Sequence, residues 1–356
     1  MTNRIAKLAD KIAEYGLDAY VASRSSNIRY YTGSIGGSHL IVTPDRDPLL
    51  LVGVLDENVT RDQANDCAVD TYTPASLLEI FADALRGTHS VRVGFDDLPH
   101  QLLARLRRRL PEIYFTQNQE VVWQQRTVKD GEEIRLMSEA GRLADRAMQA
   151  LREKLAIGVN EHELAAEASY AMMREGAEAH SFEFTVGSGP RSAYPHASVT
   201  DRKIARGDLI VVDIGAAHGG YCSDITRTFV AGKPDGKKTT IYDAVLRSHE
   251  AAFKEMKMGA GCREVDGVSR RIIEEAGYGT NYTHSLGHGV GLEIHEPPSV
   301  SQRSAERLEA GNVVSDEPGV YIHGYGGVRI EDTVLLTPKG PRRLTNFPRE
   351  LENAVF

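Results

Sequence analysis

The sequence has little of what marks a disulfide-stapled, secreted or membrane-spanning protein. Its 356 residues include three cysteines, Cys67, Cys222 and Cys262, which are widely separated and form no C-x-x-C pair. This usage indicates a reducing compartment and argues against a thiolate metal site. The chain opens into an amphipathic helix pattern without a signal-peptide core, and no apolar run approaches the roughly 20 residues that cross a bilayer. We therefore predict a cytoplasmic protein without a membrane segment.

Positive charge is also in short supply. The formal net charge is −8, which disfavours a nucleic-acid partner held by a general basic field. The one dense basic run, Arg105–Arg109, fits the exposed face of a helix better than a binding patch. Hydrophobic residues make up 41% of the chain, so a protein of this length can bury a core without disulfides.

The pattern of apolar residues divides the chain near residue 125. Before that point helical and β-rich segments alternate, which predicts a small α/β domain at residues 1–125. Its predicted strands are 19–22, 40–42, 49–52 and 91–94, and its predicted helices begin near Ile5 and cover 75–86 and 98–110.

Residues 126–356 have a different pattern. Asp130 is a candidate N-cap of a helix that reaches to about residue 155. Further helices are predicted at 161–175, 241–256 and 265–275, and β-rich runs at 209–214, 221–230, 313–322 and 328–336. Because the β-rich runs come in bursts rather than in βαβ alternation, we expect an α+β domain with helices on one face of a mainly antiparallel sheet.

Four acidic residues interrupt these β-rich runs. Asp213 closes an apolar run, Asp224 follows the glycine-rich turn 216–220, and Glu317 and Glu331 lie in the later runs. A hairpin around that turn would bring Asp213 and Asp224 to one side. A buried acid is unfavourable unless it is paired or bound to a cation. Taken singly, each aspartate also fits a turn cap, and Glu331 a solvated strand residue.

A fifth candidate ligand, His288, lies in a segment rich in histidine and glycine. Three glycines bracket it, which allows backbone to pass close to whatever its imidazole binds. Four carboxylates on neighbouring strands would repel one another unless cations neutralise them. Oxygen and imidazole donors suit Mn²⁺, Co²⁺, Fe²⁺ or Zn²⁺, and five such residues suffice for two ions about 3.5–4 Å apart. The set predicts metal-assisted hydrolysis.

These segments resemble the pita-bread metallopeptidases, the family of methionine aminopeptidase, aminopeptidase P and prolidase. The resemblance is carried by G-H-G-x-G-x-x-x-H-E at 287–296 and E-P-G-x-Y at 317–321, and it extends over the whole chain. It implies a pita-bread catalytic domain at 126–356 and a creatinase-like N-terminal domain at 1–125. That N-terminal domain is typical of the proline-directed branch of the family.

The resemblance also implies an activity and a set of site residues. The activity is hydrolysis of the Xaa-Pro bond at the N-terminus of peptides or dipeptides by a homodimer. Two divalent ions, Mn²⁺ or Co²⁺ foremost and Zn²⁺ or Fe²⁺ as alternatives, would activate the attacking water. The implied metal ligands are Asp213, Asp224, His288, Glu317 and Glu331, with Glu317 also moving a proton. The implied catalytic histidines are His196, His284 and His295, and the implied substrate contacts are His196, His295 and Arg329.

Two rival functions stay open. A creatinase-type hydrolase of a small C–N substrate shares the fold without depending on metals, and a non-catalytic binding module shares it without turnover. The presence of all five ligand positions disfavours both.

The sequence departs from the family pattern at two positions. Asp316 precedes Glu317 where an apolar residue is common, and we expect its side chain to point away from the metals. Ser299 stands where many prolidases have an arginine that would help to bind the terminal carboxylate of a dipeptide. We therefore expect Xaa-Pro-Yaa tripeptides to be cleaved measurably.

Overall fold

In the computed structural model, which describes residues 4–86 and 91–356, the chain divides into two units between Arg126 and Thr127. The first unit alternates helices and strands, as its sequence pattern predicts. The strands are β1 Ala19–Ala22, β2 His39–Val42, β3 Leu49–Gly53, β4 Ala68–Tyr72, β5 Arg92–Phe95 and β6 Tyr114–Gln117. The helices are α1 Arg4–Glu14, α2 Ser25–Thr32, α3 Glu57–Gln63, α4 Leu77–Arg86, α5 His100–Arg109 and α6 Glu120–Arg126.

The strands of the first unit form one mixed sheet in the order β4-β3-β2-β1-β5-β6. Apolar residues of α4 and α5, among them Phe81 and Leu106, pack on β1 and β5. The basic run of α5 lies on the exposed side of this helix, while Leu102 and Leu106 are buried, which confirms the predicted solvated face. The edge strands β4 and β6 and the short helices α2, α3 and α6 are elements that the apolar pattern does not reveal.

The helices of the second unit begin at recognisable caps. Asp130 and Asn160 each form a capping box with the glutamate three residues on, so the predicted N-cap at Asp130 is confirmed. The helices are α7 Gly131–Lys154, α8 Glu161–Arg174, α9 Gly236–Glu255, α10 Cys262–Glu275 and α11 Leu351–Ala354. The pair α7 and α8 and the pair α9 and α10 each pack side by side.

The second unit belongs to the predicted α+β class, but its strands are distributed over several short sheets. They are β7 Ala179–His180, β8 Thr185–Ser188, β9 Leu209–Ile214, β10 Ala216–His218, β11 Tyr221–Cys222, β12 Ile225–Val230, β13 Gly287–Gly289, β14 Glu296–Val300, β15 Val313–Asp316, β16 Gly319–Ile322, β17 Gly326–Arg329, β18 Asp332–Thr337 and β19 Gly340–Arg343. Their orders are β11-β10-β7, β12-β9-β8, β14-β13-β15-β18-β19 and β16-β17. The paired strands run antiparallel, as expected.

The two helix pairs of the second unit contribute to different hydrophobic cores. Apolar side chains of α7 and α8, such as Leu143 and Leu164, share a core with Ile210 and Ile225 of the β12-β9-β8 sheet. Side chains of α9 and α10 share a core with Val314 of the β13-β15-β18 sheet. Two helix-covered sheets therefore leave their other sides available to form a site.

Three predicted strands are broken at their acidic residue. The structure divides 221–230 at Asp224, 313–322 at Glu317 and 328–336 at Glu331. At each break the backbone amide leaves the strand's own ladder and bonds elsewhere: Asp224 to Thr333 Oγ1, Glu317 to Leu286 O, and Glu331 to Thr226 O. β-rich residues stand on both sides of each break, so the sequence predicted longer strands than the structure contains.

Within residues 4–86 and 91–356, no helix combines the length and apolar content that crossing a membrane would require.

Candidate metal centre and active-site cavity

The second unit encloses a cavity of about 510 Å³ that collects every site residue named from the sequence. Nine of them line it: Asp213, Asp224, His288, Glu317, Glu331, His196, His284, His295 and Arg329. They come from segments up to 135 positions apart (196 to 331), and the antiparallel strands bring them together. Their individual roles stay predictions, while their convergence is a property of the fold.

The expected hairpin brings the two aspartates together. β9 and β12 pair so that Asp213 lies opposite Thr226, and Asp224 lies two residues before Thr226. Asp224 is fixed by a reciprocal contact, because its amide donates to Thr333 Oγ1 at 3.0 Å and its carbonyl accepts from the same hydroxyl at 2.8 Å. Both carboxylates therefore start from well-defined backbone positions.

His288 lies at the centre of β13, between two strands that approach it very closely. A Cβ atom at Gly287 would lie 2.1 Å from the carbonyl oxygen of Ser315 on β15. A Cβ at Gly289 would lie 2.2 Å from the carbonyl oxygen of Pro297 on β14. The flanking glycines are therefore required for packing, as well as giving access to the imidazole.

The geometry of three side chains suits one metal ion. Asp224, His288 and Glu331 each offer a ligand atom, and these atoms lie within 4.8 Å of one another. His288 Nε2 also lies 3.3 Å from Glu317 Oε1 and 3.7 Å from Asp224 Oδ2. Glu317 thus lies next to this triad, and Asp213 lies on the same cavity wall.

In the protein without a metal, the ionised form of three of the carboxyl groups is unfavourable, and their pKa values are raised. Burial, and then the charges of Glu331 and Asp213, raise the pKa of Asp224 well above its usual range. Burial and the charge of Glu317 do the same to the pKa of Glu331. Burial also raises the pKa of Asp213, although the neighbouring Arg329 acts in the opposite direction.

Glu317 and His288 behave as an ion pair. Burial by itself would raise the pKa of Glu317, but the hydrogen bond and charge of His288 outweigh it and lower that pKa to about 2. Burial would lower the pKa of His288, and Glu317 reverses this, so the net direction is upward. Because a metal ligand must be a neutral imidazole, binding of a metal here would release the His288 proton.

The donor set fits divalent cations. Oδ1 of Asp213 and Oε1 of Glu331 are buried and accept no hydrogen bond from the described residues. Buried oxygen atoms are normally hydrogen-bonded or bound to an ion. A metal ion would bind these two oxygens and would also reduce the repulsion among the carboxylates. Carboxylate oxygens with one imidazole nitrogen match hard or borderline divalent ions.

Arg329 is fully engaged at the edge of the cluster. Its guanidinium donates to Asp213 Oδ2 at 2.6 Å, to Thr226 Oγ1 at 3.0 Å, to the Tyr321 hydroxyl at 2.9 Å and to Pro195 O at 3.2 Å. Its charge is therefore directed toward Asp213, and its geometry is set by four neighbours.

Sequence reasoning assigned no role to Tyr321 and Thr226. The Tyr321 hydroxyl joins Arg329 to His284 Nε2, which lies 3.0 Å away. The Thr226 hydroxyl donates to Glu331 Oε2 at 2.6 Å and accepts from Arg329. For Thr226 a signal was available, since the predicted hairpin of 209–214 and 221–230 places it opposite Asp213.

The three histidines occupy different surroundings. His284 is held by Tyr321 and by the Ser285 carbonyl, and burial lowers its pKa. The His295 ring is exposed and lies 4.2 Å, centroid to centroid, from the His288 ring. Partial burial, and then the proximity of His288, lower the pKa of His295. His196 is exposed on the opposite loop of the cavity.

Ser299 and Asp316, the two departures from the family pattern, lie in different surroundings. Ser299 on β14 is exposed and lines the cavity. Asp316 is fully buried and lies against His249, with 3.8 Å between Asp316 Oδ2 and His249 Nε2, and it is not part of the cavity lining.

The chain matches two known domain families and a relative of the same length. The profile described as Metallopeptidase family M24 matches residues 135–338, and the Creatinase/Prolidase N-terminal domain matches residues 4–128. The chain is 38% identical to an Xaa-Pro dipeptidase of Pyrococcus furiosus, over 99% of this chain and 100% of the relative.

Solved structures with the same fold include a prolidase and an X-Pro aminopeptidase. The prolidase of Pyrococcus horikoshii OT3 superposes with a TM-score of 0.92 at 37% identity, covering 98% of this chain and 99% of the other. An X-Pro aminopeptidase from Thermotoga maritima MSB8 superposes with a TM-score of 0.91 at 31% identity, covering 99% of each chain.

Proposed function

The chain belongs to metallopeptidase family M24, and from this premise we propose that it hydrolyses the Xaa-Pro bond at the N-terminus of peptides or dipeptides. The predicted resemblance to the pita-bread metallopeptidases and the predicted peptidase class are thereby confirmed. The observation that carries the substrate proposal is the convergence of the nine predicted residues on one cavity. The names of the Pyrococcus relatives support it.

We propose that the chain consists of the two domains that the sequence indicates. Residues 1–125 would be a creatinase-like N-terminal domain and residues 126–356 the pita-bread catalytic domain. The ranges of the two family matches and the two compact units support this division.

The proposed metal ligands are Asp213, Asp224, His288, Glu317 and Glu331. When bound, two divalent ions would supply an activated water and polarise the scissile carbonyl. Mn²⁺ or Co²⁺ are the proposed ions, with Zn²⁺ or Fe²⁺ as alternatives, because all accept oxygen and imidazole donors.

Glu317 is the proposed proton carrier. Its carboxylate belongs to the ligand cluster, with Oε1 3.3 Å from His288 Nε2, and is therefore placed to accept a proton from the attacking water. In this role Oε1 takes a proton from the attacking water and delivers it to the proline nitrogen, which leaves as an amine. Any amide nitrogen must gain a proton to leave as an amine, and for the prolyl nitrogen, which carries no N–H in the peptide, this proton becomes the N–H of the released product.

The histidines and Arg329 are proposed to position the substrate and to stabilise charge that develops on the carbonyl oxygen. His284 lines the cavity with a fixed ring, since its two nitrogens contact the Ser285 carbonyl and the Tyr321 hydroxyl. His196 and His295 are exposed to the cavity and are suited to contact a peptide. Preorganised donors of this kind contribute most where water is excluded.

The proposal is tested with metal-depleted protein reloaded with Mn²⁺ or Co²⁺. We expect elemental analysis to return two metal equivalents and turnover of Ala-Pro only after reloading. Metal-independent release of a small amine would favour the creatinase-type alternative, and absence of any turnover would favour the binding module.

Cleavage beyond dipeptides is a second proposed property. Ser299 lines the cavity without charge, and Arg329, the cationic side chain in that lining, is engaged by Asp213. A dipeptidase needs a cation for the carboxylate after proline, so a cavity whose arginine is already engaged should also admit longer chains. We expect Ala-Pro-Ala to be hydrolysed measurably beside Ala-Pro at equal metal loading. Hydrolysis of the dipeptide alone would refute this expectation.

We also propose a homodimer located in the cytoplasm. Among residues 4–86 and 91–126 no group of metal-ligating side chains is found, and in the resembled branch this domain takes part in the dimer. No disulfide joins Cys67, Cys222 and Cys262, all of which the structure describes, and this supports a reducing location. Light scattering at micromolar concentration tests the dimer, and a monodisperse monomer would contradict it.

A further inference from the structure

A buried ion pair links the first residues of the second unit to the segment that carries His295. Nζ of Lys129 lies 3.3 Å from Oε2 of Glu296, and both side chains are 1% exposed. Lysine and glutamate are almost never buried to this extent unless they are paired. Neither residue belongs to the cavity lining, so the proposed chemistry leaves this pair without a role.

The carboxylate of Glu296 organises the loop 291–295. Its Oε1 accepts the amide N–H of Glu293 at 3.0 Å. Its Oε2 lies so close to Gly291 that a Cβ there would be 2.5 Å away. A hydrogen bond of 3.0 Å from the Gly291 amide to the Glu293 carbonyl closes the same turn. The carboxylate thus fills the inside of a turn whose last residues, Ile294 and His295, form part of the cavity wall.

Lys129 is anchored on the other side. Its amide donates to the Gly311 carbonyl at 2.8 Å, and Asn312 Nδ2 donates to the Thr127 carbonyl at 3.1 Å. Gly311 and Asn312 lead directly into β15, the strand that ends just before Glu317. The ion pair therefore ties the histidine loop to the segment that enters a ligand-bearing strand.

We infer that the Lys129–Glu296 ion pair is a positioning device that fixes Ile294 and His295 against the substrate. The inference rests on the proposed function for the identity of that substrate. Without the ammonium group, the buried carboxylate would lack its counter-charge. It would then turn toward water and take the 291–295 turn with it. The metal ligands are held by other contacts, so the effect falls on substrate positioning rather than on metal binding.

The decisive variant is Lys129→Met in the full, metal-loaded chain, which removes the charge and keeps most of the side-chain volume. We expect kcat/KM for Ala-Pro to fall by roughly 10- to 10²-fold, the scale of a small misplacement near the reacting atoms. Elemental analysis should still return the wild-type metal content. Amide hydrogen exchange at 291–295 should become faster, while exchange in α7 stays unchanged.

Two further variants separate positioning from general stability. Lys129→Met combined with Glu296→Gln removes both charges and keeps an acceptor for the Glu293 amide, so it should regain much of the lost activity and exchange protection. Arg202→Met breaks another ion pair of the second unit, Arg202–Asp208 at 2.6 Å, whose residues do not line the cavity. It should leave both kinetic constants at wild-type values below its unfolding temperature.

Wild-type kinetic constants and wild-type exchange at 291–295 in Lys129→Met would overturn the inference. Loss of metal in proportion to the loss of activity would overturn it as well. If Lys129→Met does not fold, Glu296→Gln alone is compared with wild type by the same measurements and the same criteria. If the wild-type protein does not cleave Ala-Pro, the proposed function fails, and the exchange rates at 291–295 still decide the positioning role.

Discussion

The buried carboxylates on the two sides of the ligand-bearing segments differ in the counter-charges that surround them. Glu331 and Asp332 are consecutive residues, and so are Glu317 and Asp316. In each pair the glutamate belongs to the cavity side and the aspartate to the reverse side, where it lies near His249.

On the reverse side, cations of the protein compensate Asp332. Arg227 Nη2 lies 2.8 Å from Asp332 Oδ1, and Arg349 Nη1 and Arg343 Nε lie 2.9 Å and 3.1 Å from Oδ2. Burial alone would raise the pKa of Asp332, but Arg227, together with His249 and Arg349, holds it below its usual range. This carboxylate is ionised and structurally complete without any ligand.

On the cavity side, two of the four proposed ligand carboxylates have an ion-pair partner, which is His288 for Glu317 and Arg329 for Asp213. Asp224 and Glu331 have pKa values raised by burial and by their neighbours. The comparison shows that burial of an acid does not by itself identify a metal ligand. What distinguishes Asp332 from Asp224 and Glu331 is whether the protein supplies the counter-charge.

Asp332→Asn should have the largest effect on stability. The change leaves three arginines around a buried neutral amide, and breaking a buried ion pair costs about 3–5 kcal/mol. We expect a loss of that size in the free energy of unfolding, measured by urea denaturation of the metal-loaded protein. Metal content of the folded variant should stay at the wild-type value, and a metal loss without a stability loss would contradict the division into two sides.

Glu331→Gln should lose metal and activity without losing stability. Removal of one ligand charge should cost one metal equivalent and lower turnover by at least about 10²-fold, as expected for the loss of a direct metal contact. The free energy of unfolding of the metal-free protein should not fall, since a repelling charge has been removed. Glu352→Gln, at an exposed acid of α11, is the matched control with unchanged metal content. Full activity in Glu331→Gln would remove this residue from the site.

The sequence predicts the cavity side better than the reverse side for a physical reason. The site acids interrupt apolar runs and stand in family motifs, and Asp130 and the β9–β12 hairpin follow from local patterns. By contrast, Asp332 meets Arg227 across 105 residues, and Lys129 meets Glu296 across 167. Such pairs arise only from tertiary packing, and no local period or spacing encodes them.

The pH dependence of the metal-free protein should also differ between the sides. A carboxyl group with a raised folded-state pKa contributes stability that is full below its unfolded pKa of about 4 and is lost as pH rises through the folded value. Asp224 and Glu331 are of this kind. Asp332, whose pKa is lowered, contributes stability above pH about 4 that is lost as pH falls through its folded value.

We therefore expect the metal-free wild type to lose stability between pH 5 and pH 7 by more than metal-free Glu331→Gln does. Thermal unfolding at the two pH values measures the difference between the proteins, and contributions common to both, including that of His249, cancel. Addition of Mn²⁺ should raise the unfolding temperature more at pH 7, where the ligands are more readily deprotonated. Equal pH dependence in the two proteins would show that Glu331 is ionised without metal.

Asp316→Asn should have the smallest effect, although Asp316 is as deeply buried as Asp332. Burial, and then the charge of Asp332, raise the pKa of Asp316 well above its usual range, and neither of its oxygens accepts a hydrogen bond from the described residues. The raised pKa favours the neutral form of this side chain, which an amide of the same shape replaces without loss of charge. We expect the free energy of unfolding to stay within about 1 kcal/mol of wild type, with metal content and turnover unchanged. A loss as large as that of Asp332→Asn would mean that Asp316 is ionised and paired with protonated His249, so that the reverse side would hold two compensated carboxylates instead of one.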